Sequence, residues 1–157
     1  MIIMEFADGK KIKIELDEAA APLTCQNFIN LVKEHFYDGL TFHRVIKGFM
    51  IQGGDPQGNG SGGSRKLLKG EFTSNGIANP LAHKRGTISM ARAADPNSAS
   101  SQFFIMHQDA PHLDGKYAAF GHVIEGLDVV DAIADVPTNE MDRPVEPVML
   151  KRVYIEK

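Results

Sequence analysis

Arg44 and Gln52 are the residues in this chain whose surroundings most invite a chemical reading. They lie in Phe-His-Arg-Val-Ile-Lys-Gly-Phe-Met-Ile-Gln-Gly-Gly-Asp, residues 42–55. A guanidinium offers a fork of donors and no acceptor, whereas an amide offers both. Here the cation sits among Phe42, Val45 and Ile46, and the amide among Met50, Ile51 and two glycines. Packing alone does not favour that mixture. It suits a pocket that grips an apolar group together with the peptide bond beside it.

Strands and turns must hold these groups in place. Two short strand-like runs flank Lys47-Gly48, and Gly53-Gly54-Asp55-Pro56 ends them. Upstream, Met4 and Phe6 alternate with Glu5, and Ile12, Ile14 and Leu16 alternate with Lys11, Lys13 and Glu15. Asp8-Gly9 between them predicts a hairpin, because both residues accept positive φ. Pro22 predicts the start of a helix running to about Glu34, with Phe28, Leu31, Val32 and Phe36 on one stripe. Residues 53–63 are rich in glycine and read as a loop. Strand-like runs recur at 86–91, 102–107, 117–124 and 148–156, and a second helix fits Leu127 to Asp135, stopped by Pro137. Many strands, two helices and no βαβ rhythm predict a mainly β fold, an antiparallel sheet closed into a barrel.

Alternation sorts the candidate residues by face. Met50 and Gln52 share one face of their strand, Gln102 and Phe104 share one face of theirs, and Phe103 and Ile105 point the other way, into the core. The two glutamines are the informative members, since an amide buried without partners is costly. Ala91 and Ala93 are small residues on one face at an apolar strand end.

The chain has 157 residues, 43% of them hydrophobic and 24% charged, which predicts one soluble domain over 1–157. Its net charge of −3 and pI near 6.0 argue against a nucleic-acid partner. Cys25 is the only cysteine, so an intrachain disulfide and a thiolate-rich zinc cluster are excluded. Cys25 itself reads as a small buried filler. His35, His43, His83, His107 and His122 are scattered without a metal-ligand pattern, and the glycine loop lacks the Gly-Lys-Ser/Thr ending of a phosphate loop. No cofactor or metal is expected. No apolar stretch reaches membrane-spanning length, and Met1–Phe6 lacks the basic start of a signal peptide, so no membrane association and a cytoplasmic location are expected. Nothing suggests an obligate assembly, so the expectation is a monomer.

Three blocks in order carry a family resemblance. They are residues 42–55, then Gly86-Thr87-Ile88-Ser89-Met90-Ala91-Arg92-Ala93 running to Ser101-Gln102-Phe103-Phe104-Ile105, then Leu113-Asp114-Gly115-Lys116-Tyr117 with Phe120-Gly121. Together they resemble the signatures of the cyclophilin family of peptidyl-prolyl isomerases over nearly the whole chain. The resemblance implies an eight-stranded barrel with a helix at each end. Side chains fill so small a barrel, which puts the site on its outer surface. It implies Arg44 as the catalytic residue, and Phe49, Met50, Gln52, Ala91, Arg92, Ala93, Gln102, Phe104, His112, Leu113 and Tyr117 as substrate-binding. Phe49 has the wrong parity for that face unless the chain bends after Gly48, and its place rests on the resemblance.

The implied activity needs no nucleophile, metal or general base. Amide resonance sets a barrier of about 18–20 kcal/mol to rotation. Exchange at X-Pro bonds accordingly takes roughly tens to hundreds of seconds. A catalyst must hold the proline ring and its flanking backbone and favour the twisted amide. Arg44 could donate to the prolyl nitrogen once its lone pair is freed. Proline-containing peptides and unfolded or loop segments of proteins are the implied partners. Two other readings compete, a proline-segment-binding scaffold or chaperone without significant catalysis and a barrel carrying a small apolar ligand. The first leaves Arg44 without a purpose; the second leaves Arg44, Gln52 and Gln102 unexplained.

Three features depart from the family pattern. Arg92 stands where many members carry Asn, and the loop Ala94–Ser100 is one residue longer than the commonest form. His112 stands where many eukaryotic members carry the Trp that helps bind cyclosporin, so cyclosporin is expected to bind only weakly. Tyr117 replaces a common His and keeps an aromatic face with a polar tip.

Overall fold

The computed structural model describes residues 1–156. Eight strands form one antiparallel sheet: β1 Ile2–Phe6, β2 Lys11–Leu16, β3 Arg44–Ile46, β4 Met50–Gly53, β5 Thr87–Met90, β6 Phe103–Met106, β7 Ala119–Glu125 and β8 Leu150–Ile155. Their order across the sheet is β3-β4-β6-β5-β7-β2-β1-β8. The two helices are α1 Pro22–Lys33 and α2 Leu127–Ala134. Every strand and helix expected from alternation and turn residues is present, with ends that fall within two residues of the expected ranges 86–91, 102–107, 117–124 and 148–156 and with both helices starting at the expected residue.

The first hairpin shows why. Ile2 pairs with Ile14 and Met4 with Ile12, so the apolar face of one strand meets that of the other. The turn differs from expectation, because only Gly9 takes positive φ, at 91°. Phe6 N–H donates to Lys10 O at 2.9 Å and Gly9 N–H to Phe6 O at 2.9 Å, closing a three-residue loop instead of a two-residue one.

The expectation of a closed barrel needs correction. Ladders join seven neighbouring pairs, but β3 and β8 at the two edges share none. The sheet curls until those edges approach, and the chain just before β3 stitches them. Thr41 forms a single bridge with Met149, Phe42 N–H donates to Val148 O at 2.9 Å, and Leu150 N–H donates to Leu40 O at 2.8 Å. A curled, half-closed barrel is the accurate description.

Its interior is aromatic. Phe28 of α1 packs its ring against Tyr37, Phe103 and Phe120, with centroids 5.1–5.8 Å away, and Phe42 meets Phe103 edge-on at 5.7 Å. Each such ring, fully buried, stabilises the fold by about 1.5–3 kcal/mol. Cys25 is the filler the sequence suggested. Burial, with Glu18 and Glu71 nearby, pushes its thiol up to about 12, so no reactive thiolate forms at neutral pH. The start of α1 has no local cap, and buried Glu71 supplies one from 47 residues away. Its carboxylate accepts from Thr24 N–H at 2.6 Å, Thr24 Oγ1 at 2.7 Å and Leu23 N–H at 3.2 Å.

A second apolar cluster lies outside the barrel wall. Met50, Phe104, Met106, Ala110 and Leu113 form it, flanked by Ile46, Phe49, Ala91 and Tyr117. The wall itself is β4 and β6, whose Ile51, Phe103 and Ile105 face inward.

Candidate active site

Strand register sets the site. Arg44 pairs with Gln52, Gln52 with Phe104, and Phe104 with Ser89, so one row crosses β3, β4, β6 and β5 on the outer face. The next row on that face, Ile46–Met50–Met106, supplies apolar support. Residues 42–55 and 101–105, distant in sequence, thus meet side by side.

Phe49 reaches this face through its turn. Gly48 takes φ 81°, and Phe49 N–H donates to Ile46 O at 3.0 Å. That left-handed residue is the bend the alternation required, and it swings Phe49 over to join Met50.

A pocket of about 120 Å³ results, lined by Arg44, Phe49, Met50, Gln52, Ala91, Arg92, Phe104, Leu113 and Tyr117. Beside it lies a polar pocket of about 250 Å³, which shares Gln52, Ala91 and Arg92 and adds Ala93 and Gln102. The outer apolar cluster forms the floor of the first pocket. Arg44 stands exposed at its lip and makes no ion pair among the described residues, which removes the reading of a surface salt bridge. Its one side-chain hydrogen bond among the described residues goes to Gln52 Oε1 at 3.4 Å. Gln52 Nε2 donates to Gln102 Oε1 at 3.0 Å, and Gln102 Nε2 to Gly62 O at 2.7 Å and Gly60 O at 3.0 Å. The two amides are therefore oriented by each other and by the glycine loop.

That loop folds around Asp55, which is buried. Burial alone would raise its carboxyl, but backbone N–H donors from Gln57, Gly62, Asn59 and Gly60 outweigh it and hold the group ionised.

Arg92 lines both pockets, and its guanidinium is engaged within the protein. Nη2 and Nε donate to Lys116 O at 2.7 and 3.2 Å, and Nη1 to Ala93 O at 3.0 Å and Ala94 O at 3.2 Å. The cation lies over Tyr117 at 4.7 Å and Phe72 at 5.0 Å. Ala93 N–H donates to Ser98 Oγ at 2.9 Å, so the lengthened loop is internally bonded. His112 is exposed in a short helical turn at 111–113 and stacks on Phe49 at 5.8 Å, beside the pocket and not in its lining.

Several supporting residues escaped the sequence reading. Ser61, Ser98 and Ser100 line the polar pocket with Gly60 and Gly62. His83 is buried behind Phe104, its ring stacked on it at 5.9 Å. Its Nδ1 faces Asp114 Oδ1 at 3.0 Å and its Nε2 faces Ser89 Oγ at 2.8 Å. An ionised carboxylate only accepts, so Nδ1 carries the proton and Ser89 donates to Nε2. The order is that of a nucleophilic triad, yet Ser89 is 0% exposed and no carbonyl can reach it. The chain of bonds instead fixes the floor ring. Burial, more than the opposing pull of Asp114, lowers the His83 pKa. His43, next to Arg44, is also depressed by burial, and neither ring nitrogen has a partner among the described residues. No sequence pattern marked these histidines, because their partners are 6 and 31 residues away for His83.

The arrangement presents an apolar cup, two oriented amides and an unpaired cation. Such a site can bind and polarise a peptide group and needs no nucleophile. Comparison with known proteins is consistent with that chemistry. The family described as cyclophilin type peptidyl-prolyl cis-trans isomerase/CLD matches residues 1–155. The peptidyl-prolyl cis-trans isomerase ppi1 of Schizosaccharomyces pombe is 48% identical over 141 residues, covering 89% of each chain. Peptidyl-prolyl cis-trans isomerase B of Bacillus subtilis is 50% identical over 121 residues, 77% of this chain and 81% of that one. A crystal structure of a Cryptosporidium parvum cyclophilin type isomerase in the presence of the dipeptide Ala-Pro superposes with TM-score 0.91. It is 33% identical and covers 99% of this chain and 98% of its own.

Proposed function

The chain belongs to the cyclophilin-type peptidyl-prolyl cis-trans isomerases and catalyses exchange at X-Pro bonds, assisting protein folding; we propose that the pocket below Arg44 is where it does so. The proline ring enters the apolar cup of Phe49, Met50, Phe104, Leu113 and Tyr117. Gln52, Gln102 and the Ala91–Ala93 segment hold the backbone on either side. Arg44 donates to the prolyl nitrogen as the amide twists and its lone pair localises. That bond is absent in either planar ground state, so it acts on the barrier.

The observation that carries this reading is the guanidinium without an ion pair, set on the same row as Gln52 and Phe104. A charge-assisted hydrogen bond is worth about 1.5–3 kcal/mol, or roughly ten- to hundredfold in rate. Exclusion of water and orientation by the cup must supply the rest. The Ala-Pro dipeptide present with the Cryptosporidium relative supports a proline-containing peptide as the ligand class. Unfolded segments and loops of folding proteins are the corresponding substrates. No helix among the described residues is long and apolar enough to cross a membrane, and we assign the cytoplasm as the site of action.

Exchange spectroscopy on an X-Pro peptide with catalytic amounts of the protein tests the proposal. Accelerated cis-trans exchange is expected. Peptide binding without acceleration would favour a scaffold that holds proline segments, and would overturn the catalytic reading.

A further inference from the structure

We propose that His107 is a positioning residue for the isomerase site, locking the turn that carries Phe49 into the proline pocket and tying it to helix α2. The inference rests on the proline-binding role given to that pocket.

Phe49 does not belong to the pocket face by strand alternation. It arrives there because the turn holds Gly48 at φ 81°. His107 reaches that turn twice, by its ring at Gly48 and by its backbone at Phe49. At Phe49 O, Gln108 N–H adds a longer bond of 3.4 Å, so the ring is the part of the grip that a substitution removes. Gly48 N–H donates to His107 Nδ1 at 2.8 Å, and His107 N–H donates to Phe49 O at 2.9 Å. The far side of the imidazole faces α2, with Nε2 3.2 Å from Asp131 Oδ1. Asp131 is held in turn by Arg85 Nη1 and Nη2, at 2.6 and 2.9 Å, and Arg85 Nη1 also donates to His107 O at 3.1 Å.

This environment selects one form of the ring. Gly48 N–H needs a lone pair on Nδ1, and the carboxylate needs a proton on Nε2. A neutral imidazole accepts at one nitrogen and donates at the other, which is what bridging a turn to a helix carboxylate requires. His107 is 8% exposed, whereas Gly48 is open to water. Water can therefore replace the imidazole as a partner for the amide, but it cannot hold the turn at a fixed position. Backbone bonds hold Phe49 O but leave the Gly48 side of the turn to side chains. The second of these, Lys47 to Asp135 at 2.9 Å, is an exposed ion pair on flexible side chains.

Loosening the turn moves a wall of the cup and leaves Arg44 in its ladder with Gln52. Phe49 contacts the proline ring equally in the planar and twisted states, so its displacement acts on binding. His107→Ala is expected to raise KM for an X-Pro peptide about three- to tenfold, with kcat within about twofold. His107→Asn places an amide oxygen where Nδ1 stood and should keep KM within about twofold of wild type. His107→Gln reaches Asp131 but not Gly48 and should behave like Ala, which preserves the test if His107→Ala does not fold. In uniformly ¹⁵N-labelled wild type, a scalar coupling across the hydrogen bond should join the Gly48 amide nitrogen to His107 Nδ1.

An unchanged KM in His107→Ala or Gln, equal behaviour of Asn and Gln, or absence of the coupling would overturn this proposal alone. A wild type without isomerase activity would overturn the functional reading beneath it.

Discussion

Replacing Arg92 with alanine should weaken the fold and the peptide affinity together. The guanidinium bridges the chain at Lys116 to the chain at 93–94, and lies between Phe72 and Tyr117. Arg92 is half-buried, so the freed carbonyls of Ala93, Ala94 and Lys116 can regain water. Each lost clamp, the pair of bonds to Lys116 O and the pair to Ala93 O and Ala94 O, then counts about 0.5–1 kcal/mol instead of the full charge-assisted value. Each cation–π contact adds about 0.5–1 kcal/mol. Two carbonyl clamps and two rings make a loss of about 2–4 kcal/mol. In a domain of this size that lowers Tm by roughly 4–16 °C. Tyr117 and the 91–93 segment lose their brace, so KM for an X-Pro peptide should rise several-fold with kcat little changed. Arg92→Lys keeps the charge, but one ammonium cannot span both carbonyl clamps, and most of the loss should remain. Calorimetry with exchange spectroscopy on the same samples decides the matter. A variant that loses activity at unchanged Tm would mean that Arg92 grips substrate directly, and the bracing argument would fail.

Arg44→Ala should lower kcat/KM roughly ten- to hundredfold while leaving Tm within about 1–2 °C, since an exposed cation with no ion partner holds nothing together. Arg44→Lys should recover little of it, and full activity in either variant would refute the role given to Arg44. His43 and His83 are both held neutral by burial, with pKa lowered from 6.5. The unfolded chain therefore binds protons that the native one refuses, and stability should be full above about pH 6.5 and fall as pH drops below it. Denaturant midpoints at about pH 7.5 and pH 5.5 test this, and an equal or higher midpoint in acid would contradict it. Cyclosporin should bind weakly, because the exposed imidazole of His112 offers less apolar area than an indole. A nanomolar dissociation constant by calorimetry would show the substitution to be harmless.

Much of this architecture was legible because local patterns and tertiary needs agree. Asp8-Gly9, Pro22 and the alternating runs each name an element that the packing also wants. The pairs Met50–Gln52 and Gln102–Phe104 were separable by parity alone, and the register of β4 on β6 sets Gln52 opposite Phe104. Phe49 was not, because its face depends on the φ of Gly48, which strand alternation does not encode. Closure was overstated for a related reason. Alternation marks strands but not whether the last two share a ladder, and here a segment of irregular backbone does the joining. The work of Arg92, His83, His107 and Glu71 was hidden because each has a partner far along the chain, at Lys116, Asp114, Gly48 and Thr24. A side chain that braces two loops has no period and no neighbouring motif to betray it.

One wall serves both sides of the molecule, with Ile51 and Ile105 turned to the barrel interior and Gln52 and Phe104 turned to the pocket. Inserting or deleting a single residue within either strand would exchange those sets, destroying fold and activity in one step. Variation that survives must therefore enter at the strand ends. Arg92, the lengthened 94–100 loop, His112 and Tyr117 all lie there, beyond the ladders of β5 and β6. Under the proposed assignment the wall carries the reaction, and the connections around it carry the residues that would set the choice of substrate.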